Sequence, residues 1–267
     1  MQKYLVLYFV IIFIIGFICV NGALSVDKKD LVAYWSFNKG SGQTVADESG
    51  NKFDGKVIDA VWEKSGKRGS AMAFNGQGNY VEVASNEGLD PGKDNWTIEL
   101  WLKRADAGTD WQKILTKYPC CNYTGYRVGL LNHAVHVIFG IGPPPNCVEM
   151  TSNNKISDQE WHHLAVVVDR KSDVIIYIDG KPDDNKKSIK QIDGQEVITQ
   201  QNLEIGRCHW CGGGKTMGFN GILDEIKIWR AALNQNEVNI AMEGKLALAV
   251  SAKNALTACW GEIKQAK

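Results

Sequence analysis

The stretch CHWC at positions 208–211, followed directly by GGGKT, concentrates more potential chemistry than any other part of the chain. Cys208, His209 and Cys211 could hold zinc, with Cys120, Cys121 or Cys147 completing a tetrahedron. Two cysteines separated by two residues could also form a redox couple, and the glycine-lysine run could cradle phosphate. In an oxidising compartment the same cysteines would cross-link loops. The phosphate reading fails on spacing, because the motif requires glycine at the position that His209 occupies. It also requires a helix behind the glycines to aim amides at the anion, and the residues after Thr216 read as a strand. The redox reading needs a helix in a βαβ unit, and none is legible here.

Choosing between zinc and cross-links depends on the compartment. The first residues, MQKYLVLYFVIIFIIGFICVNGALS, carry one early cation, Lys3, then an apolar run from Tyr4 to Val20 and the small residues Gly22 and Ala23. This is the pattern of a secretory signal peptide over residues 1–22, cleaved between Gly22 and Ala23. The run of about 17 residues is at the lower limit for a membrane span, so an uncleaved amino-terminal anchor is the alternative. Bulky Phe17 and Ile18 before Cys19 argue against a lipoprotein site. The chain is therefore expected to be secreted, extracellular or displayed at the cell surface. Thirty cationic and thirty anionic residues balance, and loss of Lys3 leaves the mature chain one unit negative. That balance gives no electrostatic reason for a nucleic-acid partner or for membrane contact beyond such an anchor. Cys19 aside, Cys120, Cys121, Cys147, Cys208, Cys211 and Cys259 form an even set. The expectation is disulfides rather than zinc, with a connectivity the sequence cannot assign.

The elements that must position these residues read as strands nearly throughout. LVAYWSF (31–37) alternates, with Leu31, Ala33, Trp35 and Phe37 on one side, and TIELWLKR (97–104) does so with Ile98, Leu100 and Leu102. WHHLAVVVDRKSDVIIYIDGK (161–181) holds two alternating runs around a polar turn, and Asp179-Gly180 favours a tight turn after them. Shorter strands are expected at 70–75, 79–84, 112–117, 126–132, 135–140 and 202–206, and a long one at 221–229. NQNEVNIAMEG (234–244) reads as a helix, and a second short one is expected at 256–264. The fold class is all-β: an antiparallel two-sheet sandwich with one or two short C-terminal helices.

Five blocks occur in an order and spacing that resemble a laminin-G-like, pentraxin-like jelly roll of the concanavalin A-like lectin and glucanase superfamily. They are LVAYWSFNKGSGQTVADESGNKFDGKV, GSAMAFNGQGNYVEV, WTIELWLK, WHHLAVVVDRKSDVIIYIDGK and GFNGILDEIKIWRAALNQNEV. The resemblance covers roughly 31–244, which places a jelly-roll domain at 23–244 and a C-terminal extension at 245–267. It specifies fold far more than function, because this fold hosts lectins, adhesion modules and glycosidases alike.

The superfamily's glucanases carry alternating acids on one strand, so that two carboxyl groups sit about 5 Å apart. Here Glu82 and Glu99 each stand alone on their strands, and Asp224 and Glu225 are adjacent, hence on opposite faces. No catalytic residues are expected. Counting by twos from Ile226 and Ile228 puts Asp224 on the interior side, where a carboxylate needs a donor or a cation. The resemblance implies a structural calcium there, with the FNGQGN turn near Asn75 and Gly78 supplying oxygen ligands. Asp47 and Asp54 read as turn residues. The resemblance also implies that the loops matching 117–125 and 207–216 lie side by side. The paired calcium site of pentraxins is not carried over, because its acidic ligands are missing. A cross-linked rim displaying Tyr118, Tyr123, Tyr126, His209 and Trp210 would suit sugar rings, with their apolar faces and hydroxylated edges. The expected function is a secreted, non-catalytic module that recognises carbohydrate through this rim. The alternative is an extracellular protein-interaction or adhesion module without a sugar ligand.

Overall fold

Alternating apolar and polar residues build two antiparallel sheets in a computed structural model that describes residues 25–105, 111–119, 123–208 and 217–247. In chain order the strands are β1 (Leu31–Trp35), β2 (Thr44–Val45), β3 (Gly55–Ile58), β4 (Val61–Glu63), β5 (Ala71–Asn75), β6 (Tyr80–Val83), β7 (Trp96–Arg104), β8 (Trp111–Lys117) and β9 (Thr124–Leu131). They continue with β10 (Ala134–Ile141), β11 (Cys147–Lys155), β12 (Trp161–Val168), β13 (Asp173–Ile178), β14 (Lys181–Pro182), β15 (Lys187–Ser188), β16 (Leu203–Ile205) and β17 (Asn220–Trp229). One α-helix, α1 (Gln235–Met242), follows among the described residues. The expected helix at 256–264 lies outside them.

One sheet has nine strands in the order β14-β13-β12-β7-β17-β5-β4, with β1 joined to β17 and β15 to β13. The other has eight, ordered β11-β10-β9-β8-β16-β6-β3-β2. Their facing sides close one core around Trp35, Met72, Phe74, Trp96, Tyr126 and Phe139. The expected sandwich and most of the expected strands are present. The hairpin after β13 turns on Asp179 (φ 51°) and Gly180 (φ 73°), two left-handed residues in a row, as a two-residue turn requires.

A second apolar layer covers the outer side of the nine-stranded sheet. Val26, Leu31, Trp229, Leu233, Val238, Ala241 and Leu246 pack there, so both described chain ends lie on that face. The buried carboxylate of Glu237 in α1 fastens the incoming chain, accepting from the backbone N–H of Ser25 (2.6 Å) and Val26 (3.2 Å) and from the Ser25 hydroxyl (2.9 Å). Leu31 was expected beside Ala33 and Trp35. A register shift between Leu31 and Ala33 turns it outward instead.

β11 is not legible in the sequence, because after Met150 its residues are polar. It is an edge strand whose free groups are met by side chains. Asp183 accepts from the N–H of Asn153 (2.9 Å) and Asn154 (2.8 Å), while Asn185 donates to the Thr151 carbonyl (2.6 Å). Cys147 opens this strand opposite Gly140, and here the expectation of a disulfide is corrected: it is a buried free thiol.

Candidate functional site

Strand periodicity sends Val81 and Val83 of β6, and Leu203 and Ile205 of β16, into the core. Tyr80, Glu82 and Glu204 therefore point outward from the eight-stranded sheet. On β8 the same alternation puts Leu115 inside and Thr116 outside. Together with Tyr118, Gln201, Asn202 and Arg207 these outward residues line a cleft of about 240 Å³.

The floor of the cleft is set by pairing register. Glu204 lies opposite Glu82 on one side and opposite Thr116 on the other. Arg207 closes one end, donating through Nε (3.2 Å) and Nη2 (2.8 Å) to Glu204 Oε1. Its guanidinium also lies 3.2 Å over the centre of the Tyr80 ring. Burial pushes the Tyr80 phenol upward, only partly offset by Arg207, so this residue acts as a neutral ring and hydroxyl. Arg207 reaches that position because Gly206 leaves β16 at φ +94°. A Cβ at this glycine would meet Phe74 Cδ1 at 2.2 Å, so only glycine fits.

The wall formed by Gln201 and Asn202 is tied down from beneath. Lys117 Nζ, wholly buried, donates to Asp90 Oδ1 (2.7 Å) and to the Thr199 carbonyl (2.6 Å). Burial raises the pKa of Asp90 and lowers that of Lys117, and their mutual hydrogen bond opposes both shifts. In the same wall Asn202 Oδ1 accepts from the Ser85 N–H (2.9 Å). Thr116 is the exception to this satisfaction. It is 2% exposed, lies beside the cleft, and its hydroxyl has no hydrogen-bond partner among the described residues. An unmet buried hydroxyl costs about 1–3 kcal/mol.

Of the residues expected at the rim, the structure brings Tyr118 and Tyr123 together, edge to face at 6.1 Å between ring centres. Tyr118 lines the cleft although only 3% of it is exposed. Tyr126 does not belong to the rim, which corrects the expectation. It is a core residue whose hydroxyl donates to the Leu89 carbonyl (2.9 Å) and whose ring packs on Trp96. The cause is its place in β9, directly opposite Lys117, whose side chain is also directed inward. Cys208, next to Arg207, is buried and disulfide-bonded, with its partner outside the described residues. His209, Trp210, Cys120, Cys121, Cys211 and Cys259 also lie outside them.

Asp224 is buried but does not face the core. A bulge between Asp224 and Lys227, with Glu225 at φ 54°, breaks the parity on which the interior reading depended. The carboxylate points outward under the 64–70 turn and accepts from the backbone N–H of Arg68 (2.8 Å) and Glu225 (2.8 Å). Asn75 pairs with Asn220, four residues along β17, which is about 13 Å away at strand rise. The ligand set implied for calcium is therefore not assembled: Asn75 and Gly78 lie at the other end of the strand, and amides answer the charge. Asp47 behaves as a turn residue, accepting from the N–H of Tyr34, Ser49 and Phe53. His163 is buried against Glu99 (3.2 Å), which Trp229 Nε1 also meets (3.0 Å), in a packed network beneath α1.

Sequence reading missed Tyr80, Thr116, Gln201, Asn202, Glu204 and Arg207. Glu82 and Glu204 are 122 positions apart in the chain, and only the ladder makes them neighbours. Two carboxylates on facing strands are the right raw material for glycoside cleavage. Glu204 accepts two N–H bonds from the Arg207 guanidinium, while Glu82 has no such partner among the described residues. The arrangement suits binding: acceptors on the floor, rings at one end, and an amide wall.

A laminin-G family model, described as the concanavalin A-like lectin/glucanases superfamily, matches residues 75–239. The chain is similar to botulinum neurotoxin type X of Clostridium botulinum, 23% identical over 217 residues. That match covers 79% of this chain and 16% of the toxin. Among solved structures, the binding domain of Paraclostridial Mosquitocidal Protein 1 superposes with a TM-score of 0.64 at 18% identity, covering 80% of this chain and 52% of that domain. Domain 4 of AbnA, a GH43 extracellular arabinanase from Geobacillus stearothermophilus solved with arabinotriose, superposes with a TM-score of 0.58 at 22% identity, over 79% of this chain and 97% of that domain. At these identities the superpositions establish the fold alone.

Proposed function

Because this chain belongs to the concanavalin A-like lectin/glucanases superfamily, we propose that it is a non-catalytic binding module that recognises carbohydrate in the cleft beside Tyr80 and Tyr118. The observation that carries this reading is the lining of that cleft, where the Glu82 carboxylate and the Gln201 and Asn202 amides stand beside two tyrosine rings. Sugar hydroxyls could bond to Glu82 and to the Gln201 amide, while the apolar face of the ring lies along the aromatic side chains. Support also comes from the nature of the matched proteins, a toxin binding domain and an arabinanase domain solved with an oligosaccharide. The amino-terminal segment would export the module, with cleavage between Gly22 and Ala23. The disulfide at Cys208 would anchor the chain next to Arg207. Residues 23–244 form the binding domain in this reading, with 245–267 appended.

The test exploits an asymmetry. Thr116→Val keeps the β-branched shape and removes the unmet hydroxyl, so it should raise stability by about 1 kcal/mol in urea melts. In glycan-array and calorimetric binding that variant should keep its affinity, whereas Tyr80→Ala should lose roughly tenfold or more. Binding that survives Tyr80→Ala would overturn the cleft as the site. An array without sugar hits, together with a defined protein partner whose binding is lost in Tyr80→Ala, would establish the adhesion alternative.

A further inference from the structure

We infer that the cleft discriminates against acidic glycans and favours uncharged, hydroxyl-rich ones, with Glu82 as the residue that sets the preference. The inference rests on the glycan reading above. Its ground is an imbalance in the lining: two carboxylates, Glu82 and Glu204, against one guanidinium, Arg207. Arg207 is committed, bonded twice to Glu204 and stacked on Tyr80. Glu82 faces Glu204 across the ladder, is half-buried, and makes no hydrogen bond or ion pair with other described residues.

Among the described residues, the other cations on this face do not correct the imbalance. Lys56, opposite Glu82 on β3, is exposed and does not line the cleft. The Arg127 guanidinium lies 5.1 Å from the ring centre of Tyr118, and Lys113 Nζ lies 3.8 Å from that of Trp111; neither residue lines the cleft. A hydroxyl entering beside Glu82 can donate to it. A carboxylate or sulfate in the same place meets a negative charge with no ion-pair partner among the described residues. At about 5 Å, with an effective dielectric between that of a protein surface and water, such repulsion weakens binding roughly tenfold or more.

The experiment is calorimetric titration of the mature chain at low salt with length-matched probes. Arabinotriose and other neutral trisaccharides form one arm, and trigalacturonate and a sulfated trisaccharide form the other. The neutral arm should bind at least about tenfold more tightly, and added salt should narrow the gap. Glu82→Gln, with an unchanged melting temperature, should close most of the gap by strengthening the acidic arm. Equal or tighter binding of the acidic arm, or a gap that Glu82→Gln leaves intact, overturns the selectivity while sparing the glycan reading. No binding in either arm overturns both.

Discussion

Burial acts on two polar groups in opposite ways. The Thr116 hydroxyl has no partner among the described residues. Asp224 has partners, and its carboxyl is nonetheless raised to about 7, because burial and then the neighbouring Glu225 charge outweigh the amides of Arg68 and Glu225. A carboxyl that holds its proton more tightly folded than at its unfolded value of about 3.9 stabilises the fold fully below that value. The contribution is lost as pH rises towards 7. Glu99, held below the usual carboxylate range by Lys227 and His163 against its burial, works the other way: its contribution is present above the unfolded value and lost as pH falls. We expect the Asp224 carboxyl carbon to titrate in NMR with a midpoint near 7. We also expect this residue's share of stability, on the order of a few kcal/mol, to decline between about pH 4 and pH 7. A midpoint below 4 would show that the amides prevail.

Among the elements, β6, β7, β12 and β13 could be read from alternation alone, because each presents one face to a dry core. What defeated alternation was the bulge. One extra residue at Glu225 moved Asp224 to the outer side, and a shift after Leu31 did the same there. Sequence parity carries no record of such a step, since the extra residue looks like any other. The cleft was hidden for another reason: its members come from β6, β8, β16 and the segment behind Lys117, and pairing alone unites them. Tyr118 was legible as an aromatic beside a loop, whereas Tyr126 was misread because a core tyrosine and a rim tyrosine have the same sequence signature. Gly206 offers an element-scale test. Gly206→Ala forces a side chain into Phe74 at a positive φ, so it should cost roughly 2–4 kcal/mol in denaturant melts. It should also displace Arg207 from Tyr80 and reduce sugar affinity. Unchanged stability would mean that the β16 exit is softer than its contacts imply.

On the scale of the whole molecule, the sandwich has two outer sides with different tasks. The outward side of the eight-stranded sheet bears the cleft. That of the nine-stranded sheet is roofed by α1 and the incoming segment, joined at Glu237. Removing that carboxylate with Glu237→Ala leaves the buried Val26 N–H unmet and frees the donors of Ser25 and Asn234, and should cost about 2–3 kcal/mol. Hydrogen exchange should then rise together in residues 25–31 and in α1, while β6 and β16 keep their protection. Exchange rising evenly throughout would indicate that roof and sandwich open as one unit.

The location of the two described ends has a practical corollary for presentation. Ser25 and Ala247 both emerge on the roofed side, across the full thickness of the sandwich from Tyr80 and Thr116. A tether at either end, whether a membrane stalk, a fused enzyme or a sensor chip, would leave the cleft turned towards bulk solution.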